Sequence, residues 1–424
     1  MRVLLISANT EKINMPTLPM GLGCVAEALL EAGHAVTLRD LMGLEDWQPV
    51  LQNALAETNP QLIGISIRNI DDQDSAHPRF LAAEAREVVM ACQTLRPAPV
   101  VLGGAGYSIF PERLLEYTGA EMGIQGEGET VFPILLARLE AQKPLVDVPG
   151  LYIKGQGLQA PRLLDPDPGR FRLPNPEWFD ARLSEDPAFY VPVQTRRGCP
   201  LACSYCSTPT IEGSRIRQRS PANVVAALER WRAAGFRRVF FVDNTFNLPE
   251  SYARELCARM AHARLDMDWR CILYPGKLSG KLVRAMARAG CREVSLGFES
   301  GFQPMLDALH KRFDLNDIRR GSRLLGDHGI RRMGFLLLGG PGETRQSVEE
   351  SLAFADGLGL EAVKITVGLR IYPYTELARI AVREGVIQPE DDLLFPRFYI
   401  ADGLEAWLRE TVRAWMADRS HWML

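Results

Sequence analysis

The sequence predicts a two-part α/β protein: a doubly wound parallel sheet, then a partial barrel of six strand–helix units, then a short helical tail. Three observations predict it. Short apolar strands alternate with amphipathic helices from Arg2 to about Arg138 and again from Val191 to Val367, the pattern of parallel strands joined by crossover helices. Between these stretches prolines crowd together (Pro149, Pro161, Pro166, Pro168, Pro174, Pro176) and helical periodicity fades. The chain has 424 residues, more than one hydrophobic core usually serves.

In the first part, residues 1–145, strands are expected at Val3–Ser7, Ala35–Leu38, Leu62–Ile67, Val100–Leu102 and Met122–Ile124. Helices are expected at Leu22–Ala32, Trp47–Ala56, Pro78–Thr94 and Glu129–Glu140. Ligands of such sheets sit beyond the carboxyl ends of the strands. Those ends are polar or glycine-rich: Ser7-Ala-Asn9-Thr10, Arg68-Asn69-Ile-Asp-Asp, Gly103-Gly104-Ala-Gly-Tyr and Gln125-Gly126-Glu127-Gly128-Glu129. Residues 146–188 read as a structured linker.

In the barrel part, 189–387, strands are expected near Val191–Thr195, Arg238–Val242, Asp268–Ile272, Glu293–Phe298, Gly334–Leu338 and Ala362–Val367. Helices fall at Pro221–Ala234, Glu250–Ala263, Gly280–Ala289, Leu315–Asp327 and Thr344–Gly357, and function in this architecture sits at the strand C-terminal ends. The tail, 388–424, carries a helix over Leu404–Met416 and is a candidate cap for the barrel.

Composition narrows the function classes. Lys and Arg total 49 against 52 Asp and Glu, a net charge of −3, without the basic surplus that binding a phosphate backbone needs. No apolar run reaches the roughly 18 residues of a membrane span, and Met1–Ser7 reads as a strand rather than a signal peptide. A cytoplasmic location is therefore expected. In a reducing compartment, a cluster among the eight cysteines points to metal or catalysis rather than disulfides.

Directly after the first barrel strand comes Arg197-Gly-Cys199-Pro-Leu-Ala-Cys203-Ser-Tyr-Cys206. Thiolates are the usual ligands of a [4Fe–4S] cluster, and three of them leave one iron open to a substrate or cofactor. A zinc loop and three cysteines brought together by chance are the alternatives that spacing alone leaves standing.

Cys199, Cys203, Tyr205 and Cys206 match the CxxxCxxC signature of the radical S-adenosylmethionine (SAM) superfamily, and the chain resembles that family from about Val191 to Gly385. The resemblance implies that these cysteines hold a [4Fe–4S] cluster whose fourth iron chelates SAM. It implies SAM contacts, too: Asp243 and Asn244 at the second strand end in place of a Gly-Gly-Glu motif, Glu299 and Ser300 at the ribose, and Gly339 near adenine. Lys364 and Arg370 lie near the sixth strand, and Tyr372-Pro-Tyr374-Thr-Glu376 is similar to the family's Pro-Gly-Thr-Glu segment with Tyr374 replacing glycine.

A Rossmann-like domain before such a barrel resembles the cobalamin-dependent branch, so Ser7, Asn9, Arg68, Asn69, Gly103, Gly104, Gly126, Glu127 and Gly128 are candidate cobalamin contacts, together with the Thr17–Gly23 loop. Glycines at these ends let backbone approach a flat macrocycle. The chain lacks the Gly-x-Gly-x-x-Gly loop of dinucleotide sites, and the first loop, Ser7 to Lys12, lacks the histidine of the Asp-x-His-x-x-Gly motif. The resemblance therefore implies a lower cobalt face without imidazole, with Arg68 and Asn69 as candidates to face it. The six histidines are scattered.

Cys271, near the end of the third barrel strand, is a candidate hydrogen donor to a substrate radical. Cys24, Cys92, Cys257 and Cys291 read as buried thiols. Arg196, Arg197, Arg215, Arg217 and Arg219 flank the cysteine loop, either drawing an anionic group or forming a solvated rim.

The resemblance implies a methyltransferase acting on an unactivated carbon, or phosphorus, through methylcobalamin and a 5′-deoxyadenosyl radical. Its partners would be a small-molecule or peptide substrate and an external electron donor of flavodoxin or ferredoxin type. Radical rearrangement, cyclisation or epimerisation without methyl transfer is the enzymatic alternative, and a non-catalytic cobalamin sensor the alternative from another class.

Overall fold

Val3 to Ile6 form an unbroken apolar run and are wholly buried, as a parallel strand covered by helices on both faces must be. In the computed structural model, which describes residues 1–9 and 17–424, this run is β1 (Arg2–Ser7). It lies between β2 (Ala35–Asp40) and β3 (Leu62–Ser66), with β4 (Val100–Gly103) and β5 (Met122–Ile124) beyond, all parallel in the order β2-β1-β3-β4-β5. The chain winds in opposite directions from β1 and β3, which opens a crevice at their carboxyl ends. Helices Met20–Glu31 and Gly128–Glu140 cover one face around Leu5, Leu29, Phe132 and Leu135. Helices Gln48–Thr58, Ala82–Leu95 and Pro111–Thr118 cover the other around Leu51, Val89 and Leu114.

The stretch read as linker begins inside this sheet. β6 (Leu151–Ile153) pairs antiparallel with β5, and β7 (Gly157–Leu158) pairs with β6. Strands of three and two residues carry too little alternation to register as a period. From there to Ala188 only 3₁₀ turns occur, at Pro168–Arg170, Pro176–Trp178 and Ala181–Glu185.

The second sheet starts at β8 (Val191–Val193). An antiparallel ribbon, β9 (Arg196–Arg197) with β10 (Arg217–Gln218), brackets the cysteine loop. The sheet continues through β11 (Arg238–Phe241), β12 (Asp268–Leu273), β13 (Cys291–Glu299), β14 (Arg331–Leu338) and β15 (Ala362–Val367). β16 (Leu369–Arg370) pairs antiparallel with β17 (Phe398–Tyr399), and the tail adds β18 (Trp422–Met423). The order is β8-β11-β12-β13-β14-β15-β18, all parallel. Six strands were expected and seven are present: the tail extends the sheet edge, and its helix Glu405–Met416 buries Leu408 and Val412 in the core of this second sheet. A two-residue strand has no hydropathy signature of its own.

The five expected barrel helices form at Pro221–Ala233, Glu250–His262, Gly280–Arg288, Leu315–Gly326 and Arg345–Asp356. Ser220 and Ser279 cap two of them, and Asp314 and Thr344 open capping boxes on two others, which satisfies otherwise orphaned N–H groups. Among the described residues no helix is long and apolar enough to cross a membrane.

The two halves share a core. Ile67, Ile70 and Tyr107 of the first pack in one cluster with Leu309, Leu369, Ile371 and Leu377 of the second. Within it Asp71, three residues beyond Arg68, pairs with Arg370 at 2.7 Å, the side chains 1% and 2% exposed. Arg370 also donates to the carbonyls of Leu393 and Leu394. Removing one partner of a buried ion pair strands the other charge at a cost of about 3–5 kcal/mol. Asp71→Ala is therefore expected to lower the unfolding free energy by about that amount in urea titrations followed by circular dichroism; a loss below about 1 kcal/mol would show that the pair contributes little beyond a surface bridge.

Candidate functional site

The cysteine loop is held by its own backbone and by two neighbouring segments. Gly198 turns it with φ +85°, and a Cβ there would lie 2.1 Å from the Arg215 carbonyl oxygen, so the ribbon and the loop can meet only at a glycine. The N–H of Cys199 donates to the Gly213 carbonyl at 3.1 Å and that of Cys206 to the Cys203 carbonyl at 3.2 Å. Ser204 bonds through its N–H to Leu309 and through its carbonyl to Leu377. All three thiols are free and half-buried. Burial raises the pKa of Cys199 and Cys203, and the neighbouring thiols add to the rise. Among the described residues no three Cys, His, Asp or Glu side chains gather around one point as a single zinc ion requires. Three thiols on one braced loop suit a cluster with three thiolate ligands.

Opposite the loop, β13 bulges: Leu296 pairs with Gly334 but Glu299 with Leu336, and Glu299 takes a left-handed φ of +67°. Its Oε1 accepts from Lys311 Nζ at 3.1 Å, and Lys311 also donates to the Tyr205 hydroxyl at 3.1 Å. Lys311 belongs to no motif in the sequence; only the fold brings it to the loop.

A cavity opens between the first sheet and β8, beside this loop. Ser7, Asn9, Arg68, Gly103, Gly104, Gly126, Glu127 and Gly128 line one side, with Thr17 to Leu22, and Pro192, Gln194, Arg197, Ile211, Glu212 and Val242 line the other. Asn69, which like Arg68 lies beyond the end of β3, does not line it. Thr10, Glu11 and Lys12 lie outside the described residues.

The walls are shaped for a large occupant. Gly104 sits at φ +100° with a hypothetical Cβ 2.5 Å from the Ile67 carbonyl oxygen, whereas one on Gly126 would meet nothing within 4 Å and would fill the space. Among the described residues the buried Asn9 Nδ2 has no hydrogen-bond partner. Arg68 lines this cavity, and among the described residues no acceptor or anion partners it; burial lowers its pKa.

Buried charges lock the two walls together. Arg197 pairs with Glu129 at 2.5 Å and with Glu127 at 3.3 Å, and Arg217 pairs with Glu127 at 2.5 Å. The other Glu127 oxygen accepts the N–H of Asp165 at 2.8 Å. Glu212 binds the Gln194 amide at 2.6 Å, the Gly198 N–H at 2.9 Å and the Asn244 amide at 2.8 Å. The basic residues around the loop are thus internal braces, not a solvated rim: Arg196, Arg217 and Arg219 are buried too, leaving only Arg215 exposed.

The first half, residues 6–136, matches the B12 binding domain, and residues 193–355 match the Radical SAM superfamily. The chain belongs to the cobalamin-dependent radical SAM enzymes. It is similar to the tryptophan 2-C-methyltransferase of Streptomyces laurentii, 26% identical over 88% of this chain and 73% of that one. It is likewise similar to the cytidylyl-2-hydroxyethylphosphonate methyltransferase of Streptomyces wedmorensis, 24% identical over 92% of this chain and 84% of that one. The structure of the radical SAM methyltransferase TsrM from Kitasatospora setae with cobalamin and a [4Fe–4S] cluster bound superposes with a TM-score of 0.86, at 25% identity, over all of this chain and 90% of the other. A second structure of that protein, with tryptophan and a SAM analogue bound, gives 0.87. The cofactors of this radical SAM enzyme are therefore a [4Fe–4S] cluster, SAM and cobalamin.

Several residues expected to meet SAM or substrate are placed elsewhere. Asp243 is wholly buried, its carboxylate taken up by the N–H groups of Thr195 (2.7 Å) and Arg196 (3.0 Å) and by the Thr195 hydroxyl (2.7 Å). It braces the approach to the cysteine loop, and Asn244 is the one of the pair beside Thr208 and Cys206. Ser300 is buried in a turn, bonded to Ser351 and to the Phe302 N–H. Cys271 shares its face of β12 with Trp269 and Leu273 towards the helices, against Cys257 and Cys291, because strand side chains alternate; an inward hydrogen donor it is not. Lys364 is half-buried on β15 level with Phe335, and Tyr374 is 87% exposed at φ +63°.

The N–H groups of Gly339 and Gly340 donate to Glu343 Oε2, and the Ala401 N–H donates to the Gly339 carbonyl. Among the described residues the buried Glu343 Oε1 has no partner, and burial pushes the carboxyl up to about 7 from 4.5. The fold favours its protonated form, so this contribution to stability is full below about pH 4.5 and is lost as pH rises through 7. Relative to wild type, Glu343→Gln is expected to gain about 3 kcal/mol between pH 4 and pH 8 in urea titrations, and a constant difference would refute the assignment. Cys203→Ala is expected to bind little iron and sulfide after anaerobic reconstitution, with an unchanged far-ultraviolet spectrum.

Proposed function

We propose that this enzyme transfers a methyl group from cobalamin to an unactivated carbon, or a phosphorus, of a small-molecule or peptide substrate. The observation that carries the reading is the shared cavity: candidate cobalamin residues on the first sheet face β8 and the residues that brace the cysteine loop. When bound, cobalamin supplies the methyl group, and the cluster with SAM supplies the radical that activates the substrate. The chain's task is then to place these groups together and to exclude water.

Cys199, Cys203 and Cys206 would hold the cluster. Asn244 and Glu299 would meet SAM, the first through its amide and the second through its carboxylate, with Gly339 nearby just beyond the end of β14. Gly103, Gly104, Gly126 and Gly128 would admit the corrin plane, and Asn9 would donate to its side chains. Arg68 would lie against the corrin and its cobalt; among the described residues no histidine lines the cavity. The similarity to two methyltransferases supports methyl transfer over rearrangement. Residence in the cytoplasm and an electron donor of flavodoxin or ferredoxin type complete the reading.

Anaerobic reconstitution with iron, sulfide and hydroxocobalamin, followed by incubation with SAM and reductant, tests it. Retained cobalamin with both S-adenosylhomocysteine and 5′-deoxyadenosine formed in the presence of substrate is the expected result. 5′-Deoxyadenosine alone would replace methylation by rearrangement, and S-adenosylhomocysteine alone would remove the radical step. Failure to hold cobalamin would remove the methylase reading altogether.

A further inference from the structure

Lys311 is the charged group nobody would pick from the sequence, and it stands beside the cysteine loop. Its side chain is 5% exposed. Nζ donates to Glu299 Oε1 and to the Tyr205 hydroxyl, each at 3.1 Å, and lies 5.4 Å from the centre of the Tyr205 ring. Tyr205 sits between Cys203 and Cys206, so the ammonium is tied to the middle of the loop. Its neighbour Glu299 is held at a left-handed φ that a non-glycine residue adopts only when its surroundings enforce it. The positive field reaches Cys203, where it opposes the rise that burial imposes on the thiol.

We propose that Lys311 is a positioning residue of the cluster site, which fixes Tyr205 and Glu299 and sets a buried positive charge that raises the reduction potential of the cluster. The inference rests on the reading of the loop as a [4Fe–4S] site. A cluster on three thiolates carries net negative charge, and reduction adds one electron without breaking a bond. A nearby cation therefore stabilises the reduced state more than the oxidised one, and weak screening in the interior strengthens the effect. Glu299 works in the opposite direction and cancels part of it. The same pair thus links any ligand that engages the Glu299 carboxylate to the electronic state of the cluster: a ligand that draws the carboxylate away from Lys311 frees more of the cation's field.

The test is a redox titration of the anaerobically reconstituted full chain, without SAM, read by the paramagnetic signal of the reduced cluster. Lys311→Met is expected to move the midpoint to lower potential and Glu299→Gln to higher potential. Opposite signs would not arise from general loosening of the loop, which would move both variants the same way. Unchanged midpoints, or shifts of one sign in both, overturn the inference. If Lys311→Met does not retain a cluster, Glu299→Gln decides alone: a rise supports the inference, and no change or a fall overturns it. A wild-type chain that yields no reducible cluster would instead overturn the underlying reading of the loop, and the inference with it.

Discussion

The arrangement depends on four buried charges. Arg197 and Arg217, on the ribbon that brackets the cysteine loop, meet Glu127 and Glu129, on the glycine-rich loop that walls the cavity. Such groups are tolerated inside a protein only when each is paired and hydrogen-bonded, since any one left alone is costly. The network is therefore all or nothing. Arg197 is followed at once by Gly198 and Cys199, so the constraint that closes the cavity also sets where the first thiol begins. Glu212 repeats the device on a smaller scale by joining Gln194, Gly198 and Asn244 through one carboxylate.

Around these polar braces, cohesion comes from three apolar clusters, one of which runs across both halves of the chain. Cohesion of that kind is non-directional and would allow the halves to slide. Asp71 with Arg370 removes the freedom, and because Asp71 lies three residues beyond Arg68, the second half indirectly sets where that guanidinium stands in the cavity. Among the described residues, walls that present an unpaired cation, an unpaired amide and several bare glycines leave polar groups ready for an occupant.

The main strands of both sheets were legible because short apolar-rich runs recur between amphipathic helices, and the cysteine spacing was legible because the three cysteines are neighbours in sequence. What failed has a physical pattern. Cys271 depended on strand parity, where a single residue decides which face a side chain takes. Asp243 and Ser300 had suitable chemistry at suitable strand ends, but local backbone N–H groups and hydroxyls claimed them first. β6, β7 and β18 are too short to carry a period. Lys311 and Glu212 act through contacts made only after folding, and a lone lysine or glutamate on a polar stretch carries no signature of that.

The common core also bears on how such a protein can be altered by recombination. Sequence would suggest cutting the chain in the proline-rich stretch and exchanging one lobe for another. The natural cut lies elsewhere, because Ile67, Ile70 and Tyr107 belong to the same packed cluster as Leu309, Leu369 and Leu377. A transplanted lobe would arrive with a bare apolar face and with Asp71, Glu127 and Glu129 deprived of their arginines. The two lobes are therefore halves of one packed unit rather than interchangeable modules, and exchanging either would require remaking the whole seam.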